Sequence, residues 1–234
     1  MKLYKTDNYN KDFVNKNMMG PNSMLILEEL TKDILLKKGT KVLDLGCGTG
    51  LTSIFLAKEF GVEVYAVDLW ISATENYRRF KDMNLDNLII PINTDANNLP
   101  FAEDYFDVII SVDAYHYFGN NNTYFPYVKK FLKKDGILAL SFVGMKYEVH
   151  NNIPKEMEHL WEKEALEMWH SIEWWKPKFE NYLYNIDIGE IECFERAWQD
   201  WLNCGNSYAL EDKEMIETDN GRFMNIIYIK GNLK

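Results

Sequence analysis

Cysteine is scarce in this chain, with three residues in 234. They are too few and too scattered for a disulfide framework, and the odd count fits a reducing compartment. Cys193 and Cys204 can pair on number alone, but reduced core thiols are the expectation. Positive charge is also short: 26 Lys and Arg stand against 36 Asp and Glu, a formal charge of −10. Nothing supplies the counterion release of a non-specific phosphate-backbone binder, so a nucleic-acid partner is not expected. Long apolar runs are missing: Met24–Leu27 and Ile137–Leu140 are far shorter than the ~20 residues of a membrane span. Met1–Asn17 is polar and has no signal-peptide core, so a cytoplasmic protein without stable membrane insertion is expected. His150, His159 and His170 and their acidic neighbours show no pair at ligand spacing on one face with a clear third ligand. No metal is therefore expected. Repeats and low-complexity tracts are absent as well.

What is present is a foldable composition, 47% hydrophobic and 26% charged, which excludes disorder. A 27.6 kDa chain buries roughly 70% of its extended surface, enough for one domain with a full core. After a polar arm, residues 1–22, Leu27, Leu30 and Ile34 recur at helical spacing and predict a helix over Ser23–Lys37. Strands are expected at Lys41–Leu45, Glu63–Val67, Leu88–Ile92, Asp107–Val112 and Gly136–Val143. Helices are expected at Leu51–Phe60, at Ala73–Lys81 behind the capping box Ser72–Glu75, and at Tyr124–Leu132. This βαβ rhythm predicts an α/β, doubly wound, parallel sheet covered on both faces. Beyond Val143, helices are expected at Pro154–Trp169, Trp174–Leu183, Ala197–Leu202 and Glu211–Glu217, and strands at Ile186–Phe194 and Phe223–Ile229.

The sharpest signal is Val42-Leu43-Asp44-Leu45-Gly46-Cys47-Gly48-Thr49-Gly50. A strand ends, glycines turn the chain, and a helix begins. Bare backbone lets a ligand approach closely, and the helix start favours an anionic group. The dinucleotide fingerprint G-x-G-x-x-G is not met, because Leu51 stands where its third glycine belongs. A P-loop is absent too. Asp68 ends the second strand 24 residues after Asp44. A carboxylate there suits the ribose of any adenosine compound without choosing among them. A third acid, Asp95, follows the third strand.

These residues, with Leu99-Pro100-Phe101 and Phe106-Asp107-Val108-Ile109-Ile110-Ser111, make the chain resemble class I S-adenosylmethionine-dependent methyltransferases. The resemblance is to the small-molecule (methyltransferase type 11, ubiquinone/menaquinone) group. It covers Lys41–Val143 well and the remainder poorly. It implies a Rossmann-like, mostly parallel seven-stranded sheet with an antiparallel last strand and extra C-terminal helices. It further implies one domain over residues 23–234, with a cofactor half at 41–143 and substrate-covering helices within 144–221. The arm at 1–22 is a possible lid. The implied cofactor is S-adenosyl-L-methionine. Gly46, Gly48 and Gly50, with Leu45 and Cys47 between and before them, would frame its methionine part. Asp44 would lie beside the amino end and Asp68 on the ribose. Leu69 and Trp70 would lie near the adenine face, Asp95 and Ala96 on the adenine edge, and Val112 under the sulfonium. Cys47 reads as a small residue chosen for fit rather than as a nucleophile.

Methyl transfer from a sulfonium is an in-line displacement that mostly needs positioning and exclusion of water. An O, N or C nucleophile also needs a base, and a thiol needs only help to ionise. Among Asp113-Ala114-Tyr115-His116-Tyr117, His116 is a candidate base, with packing against the cofactor as the competing role. Tyr115 and Tyr117 are candidate walls of the acceptor pocket. Trp174 and Trp175 are candidates for covering it or caging a cation, and Trp198 and Trp201 share one helical face. The expected function is methyl transfer to a small-molecule acceptor. The alternatives are a lipid cyclopropane synthase-like enzyme and a non-catalytic cofactor-binding protein.

Overall fold

A computed structural model describes residues 3–234. Strand β1 (Lys41–Leu45) lies centrally in the sheet, paired in parallel with β2 (Glu63–Asp68) on one side and β4 (Phe106–Val112) on the other. With β3 (Ile89–Asn93), β5 (Leu132–Met145), β6 (Leu183–Glu190) and β7 (Met224–Leu233), the order is β3-β2-β1-β4-β5-β7-β6. β7 is antiparallel to both of its neighbours. The chain runs outward through β2 and β3, then returns to β4 beside β1. The junction of β1 and β4 is thus a topological switch point, where the carboxyl ends of the strands leave a crevice.

Alternation along the strands sends side chains to two layers. Val42, Val108 and Ile110 pack on one face with α2 (Ser23–Leu30), α3 (Leu51–Phe60) and α10 (Phe194–Leu202). Leu43, Ile109, Leu140 and Phe142 pack on the other with α6 (Tyr124–Val128), α8 (Ile172–Trp175) and α9 (Pro177–Glu180). Each fully buried side chain of this size contributes about 1.5–3 kcal/mol. The Ser72–Glu75 capping box opens α4 (Ala73–Asp82), which rests on β3. Short α5 (His116–Gly119) follows β4. The last helix is α11 (Ser207–Asp219).

The arm is folded onto the domain. Asn10 caps α1 (Lys11–Asn17), Glu28 accepts from Lys5 N, Thr6 N and Thr6 Oγ1 at 2.7–2.9 Å, and Tyr9 stacks on Phe55.

Three expected helices differ. The first ends at Leu30, not Lys37, where Thr31 Oγ1 donates back to Leu27 O at 2.8 Å and the chain unwinds. Pro154–Trp169 is mostly turns, with only α7 (Lys163–Leu166) helical. Met157 and Trp161 are buried there through turn hydrogen bonds to Pro154 O and Met157 O. Trp174–Leu183 is split into α8 and α9, and its end enters β6. The described residues hold no disulfide and no helix long and apolar enough to cross a membrane.

Candidate functional site

A cavity of about 430 Å³ opens at the switch point. Its wall is made by the ends of β1 (Leu45–Gly48), β2 (Val67–Trp70), β3 (Thr94–Asn97) and β4 (Val112–Ala114). The glycine loop is shaped for this. Gly46 has φ +77°, and a Cβ on it would lie 2.3 Å from the Ala114 Cβ, so no other residue fits. The N–H groups of Gly46 and Cys47 donate to Val67 O at 2.8 and 3.0 Å, tying the turn to β2.

Asp68 is the organising carboxylate. Oδ2 accepts the Gly48 N–H at 2.8 Å, and Oδ1 accepts those of Trp70 and Ile71 at 2.8 and 2.9 Å. It therefore fixes both flanking loops while facing the cavity. Asp95 lies on the third strand end, where the Asn97 backbone N–H and then its side-chain amide hold the carboxyl below the usual range. Burial first, then Asp44 and Asp68, keep Cys47 a protonated thiol, which agrees with a packing role.

Of the residues singled out from sequence, Leu45, Gly46, Cys47, Gly48, Asp68, Leu69, Trp70, Asp95, Ala96, Val112 and Tyr117 all line the cavity. Six do not line it. Asp44 is buried behind the loop. Its Oδ2 accepts from Thr52 Oγ1 and Ser53 Oγ at 2.6 Å, while Oδ1 is buried without a partner. Burial raises its pKa to about 6. Gly50 opens α3 with φ +84°, packed against Phe80. Tyr115 is wholly buried among Phe118, Tyr124 and Phe142. His116 is 2% exposed, off the cavity wall, and burial pushes its pKa down to about 3. Such an imidazole stays neutral and is a poor proton acceptor. Trp175 is core beneath Phe142, and Trp174 stacks on His170.

Asp113 and residues of the arm line the cavity as well. Asp113 follows Val112 with φ +55° and its amide donates to Ser141 O at 2.7 Å. Burial, then Asp212, raise its carboxyl pKa to about 7. A non-glycine residue held in the left-handed region costs about 1 kcal/mol, and such strain gathers at functional sites. Its signal in the sequence was an acid at a third strand end, like Asp68 and Asp95. The arm contributes Asn17, Met19, Gly20 and Pro21, with Thr49 Oγ1 donating to Asn17 O at 2.5 Å. Among the described residues, the cavity wall therefore carries Asp68, Asp95 and Asp113 and no Lys, Arg or His.

Known proteins share this architecture. The crystal structure of MccD protein superposes with a TM-score of 0.71 at 16% identity, covering 92% of this chain and 99% of that one. Geranyl diphosphate methyltransferase in complex with SAM gives 0.71 at 17%, covering 90% and 83%. In sequence, cyclopropane-fatty-acyl-phospholipid synthase of Escherichia coli (strain K12) is 28% identical over 198 residues, 81% of this chain and 50% of that protein. Phosphoethanolamine N-methyltransferase 1 of Zea mays is 28% identical over 114 residues, 49% of this chain and 23% of that protein. The chain thus spans half or less of the length of these curated relatives. A family model described as a methyltransferase domain matches residues 36–203. With its sheet order, its glycine turn and most of its length in agreement, the chain belongs to the methyltransferase-domain family.

Proposed function

We propose that the chain transfers a methyl group from S-adenosylmethionine to a small neutral or cationic nucleophile, an amine first among them. One observation carries this: among the described residues, the cavity at the four strand ends is lined by three carboxyl groups and no basic side chain. A sulfonium donor suits such a wall, and so does an amine that enters as its ammonium ion and gives up a proton before the methyl is transferred. A phosphorylated acceptor would find no cation to meet it.

The residues fit the cofactor. Backbone lies bare at Gly46 and Gly48, where a Cβ would press on Ala114 and on Met19 Sδ. Asp44 Oδ1, buried and without a partner beneath the loop, leaves negative potential there. Asp68 faces the cavity with its loop contacts already made. When bound, the cofactor supplies an electrophilic methyl group on a good neutral leaving group. The chain supplies position. Val112 and Ala114 form the floor, and Met19, Gly20 and Pro21 from the arm exclude water. Asp113, at the end of β4, holds the amine or takes its proton. Tyr117 and Phe118 wall that end, and Trp70 packs edge-on to Tyr117 at 5.5 Å.

A screen of amines, thiols, phenols and phosphorylated alcohols with isotope-labelled methyl donor tests the reading, with products identified by mass. Labelled amines are the expected outcome. No affinity for S-adenosylhomocysteine in folded protein would overturn it. A second reading, cyclopropane formation on lipid, is favoured by the E. coli synthase matching 81% of this chain. Labelled methylene carbon in the acyl chains of vesicles, with no labelled amine, would select that reading instead.

A further inference from the structure

The segment after β5 brings together three side chains that methyl transfer does not use. Glu148, His150 and His170 each present one ligand atom, all within 4.8 Å of one another. Glu148 Oε2 is the hub, 2.8 Å from His150 Nδ1 and 3.0 Å from His170 Nδ1. Its other oxygen is fixed by the Ser171 N–H at 2.7 Å. The rings are held as well: His170 stacks on Trp174 at 3.7 Å and on His150 at 4.5 Å.

His150 Nε2 lies 2.7 Å from Leu166 O. A carbonyl only accepts, so Nε2 carries the hydrogen. His150 Nδ1 is buried and makes no hydrogen bond, although Glu148 Oε2 is 2.8 Å away. A bound cation would take a lone pair from each nitrogen and charge from the carboxylate. The His150 bond to a backbone carbonyl is the arrangement that fixes the tautomer of a metal-binding imidazole.

We propose that Glu148, His150 and His170 form a binding site for one divalent first-row transition metal of the Zn(II) or Ni(II) kind. Two imidazoles and one carboxylate select such ions over Mg²⁺ and Ca²⁺, which prefer all-oxygen shells. Bonds of ~2.0–2.1 Å in a tetrahedral shell separate ligand atoms by about 3.3 Å, so the cluster opens slightly on binding. The ion displaces any proton on His170 Nδ1, and water completes its shell. None of the three residues lines the cofactor cavity. The ion ties the loop after β5 to the start of α8, where Ser171 already bridges Met145. The site acts as a staple on the segment expected to cover the acceptor.

Full-length protein stripped with chelator is titrated with Zn(II) and with Co(II), followed by calorimetry and visible absorption. One ion per chain, a micromolar or tighter Kd, a Co(II) d–d spectrum and a raised Tm are expected. H150A and, separately, E148Q weaken binding by at least about 100-fold, with folding checked by circular dichroism. H159A, which removes an exposed ring outside the cluster, changes nothing. Absence of binding at tens of micromolar Zn(II), or equal affinity in H150A and wild type, overturns the proposal.

Discussion

Gly20 and Asp113 meet where the N-terminal arm crosses the end of β4: a Cβ on Gly20 would lie 2.5 Å from Asp113 Oδ2. The arm passes this close only because residue 20 has no side chain. Two distant parts of the sequence thereby set the position of one carboxyl group. The contact couples the arm, which lines the cavity, to the carboxyl group that we propose meets the acceptor.

Gly20→Ala tests that coupling. Either the Asp113 carboxyl turns away or the arm lifts, and both misplace the acceptor. Small displacements of reacting groups cost up to about 100-fold in rate. The expected outcome is an acceptor KM raised roughly tenfold or more, with S-adenosylhomocysteine affinity changed far less. Steady-state kinetics on the amine found in the screen reads both. An unchanged KM would show that the arm does not position Asp113.

Asp113 has a carboxyl pushed up to about 7 by burial and then by Asp212. Methyl transfer needs it ionised, to hold an ammonium or take its proton. The rate kcat/KM should therefore rise with pH through about 7 in wild type. Asp113→Asn should lose that limb and about 100-fold in kcat/KM. A variant that keeps the wild-type pH profile would assign the limb to another group.

The same carboxyl acts on stability with the opposite sign. Its folded pKa, about 7, exceeds the unfolded value of 3.8. The folded state therefore holds the proton longer, and stability falls as pH rises from about 4 to 7. Asp113→Asn removes this cost. It should match wild type below pH ~4 and exceed it above pH ~7 by about 1–3 kcal/mol, allowing for partial solvent access. Urea unfolding at the two pH values measures the difference. A variant less stable than wild type at high pH would refute the linkage.

The sheet from β1 to β5 was legible in sequence because its signals are local. Asp44 to Gly50 joins a buried strand to a turn that only glycine can make, and Asp68 and Asp95 close the next two strands. The surroundings of the β4 end and the chain beyond β5 were not, because their geometry is tertiary. Asp113 gains its environment from Asp212 and the arm. Met157 and Trp161 keep a helical spacing, yet turns bury them equally well. Pro177 opens a new helix in what reads as one periodic run. His150 and His170 meet at Glu148 only because the chain doubles back on the end of β5.

His116 illustrates the limit of residue type as evidence. It has a base's side chain at the end of the right strand, but it is 2% exposed and packs on Tyr117 and Phe142. Its Nδ1 is buried without a partner. His116→Leu, of similar size, should keep kcat within about threefold at pH 7, and removing an unsatisfied polar atom should leave stability nearly unchanged. A loss of several hundredfold in folded protein would restore a catalytic role.

Gly50 separates packing from cofactor binding in the glycine turn. It has φ +84°, and a Cβ there would lie 2.4 Å from Phe80 Cε1 and 2.6 Å from Cζ. Phe80, a residue of α4, is fully buried and has nowhere to retreat. Gly50→Ala should lose about 1–2 kcal/mol to left-handed strain and ~1–3 kcal/mol to overpacking, a Tm drop on the order of 5–15 °C. Gly39→Ala is the internal control, since φ is +89° but nothing lies within 4 Å of its Cβ. It should lose the strain alone. Because Gly50 does not line the cavity, folded Gly50→Ala should bind S-adenosylhomocysteine nearly as well as wild type. Equal losses at positions 39 and 50 would remove the Phe80 contact as the cause. A collapse of affinity in folded Gly50→Ala would return that glycine to the cofactor wall.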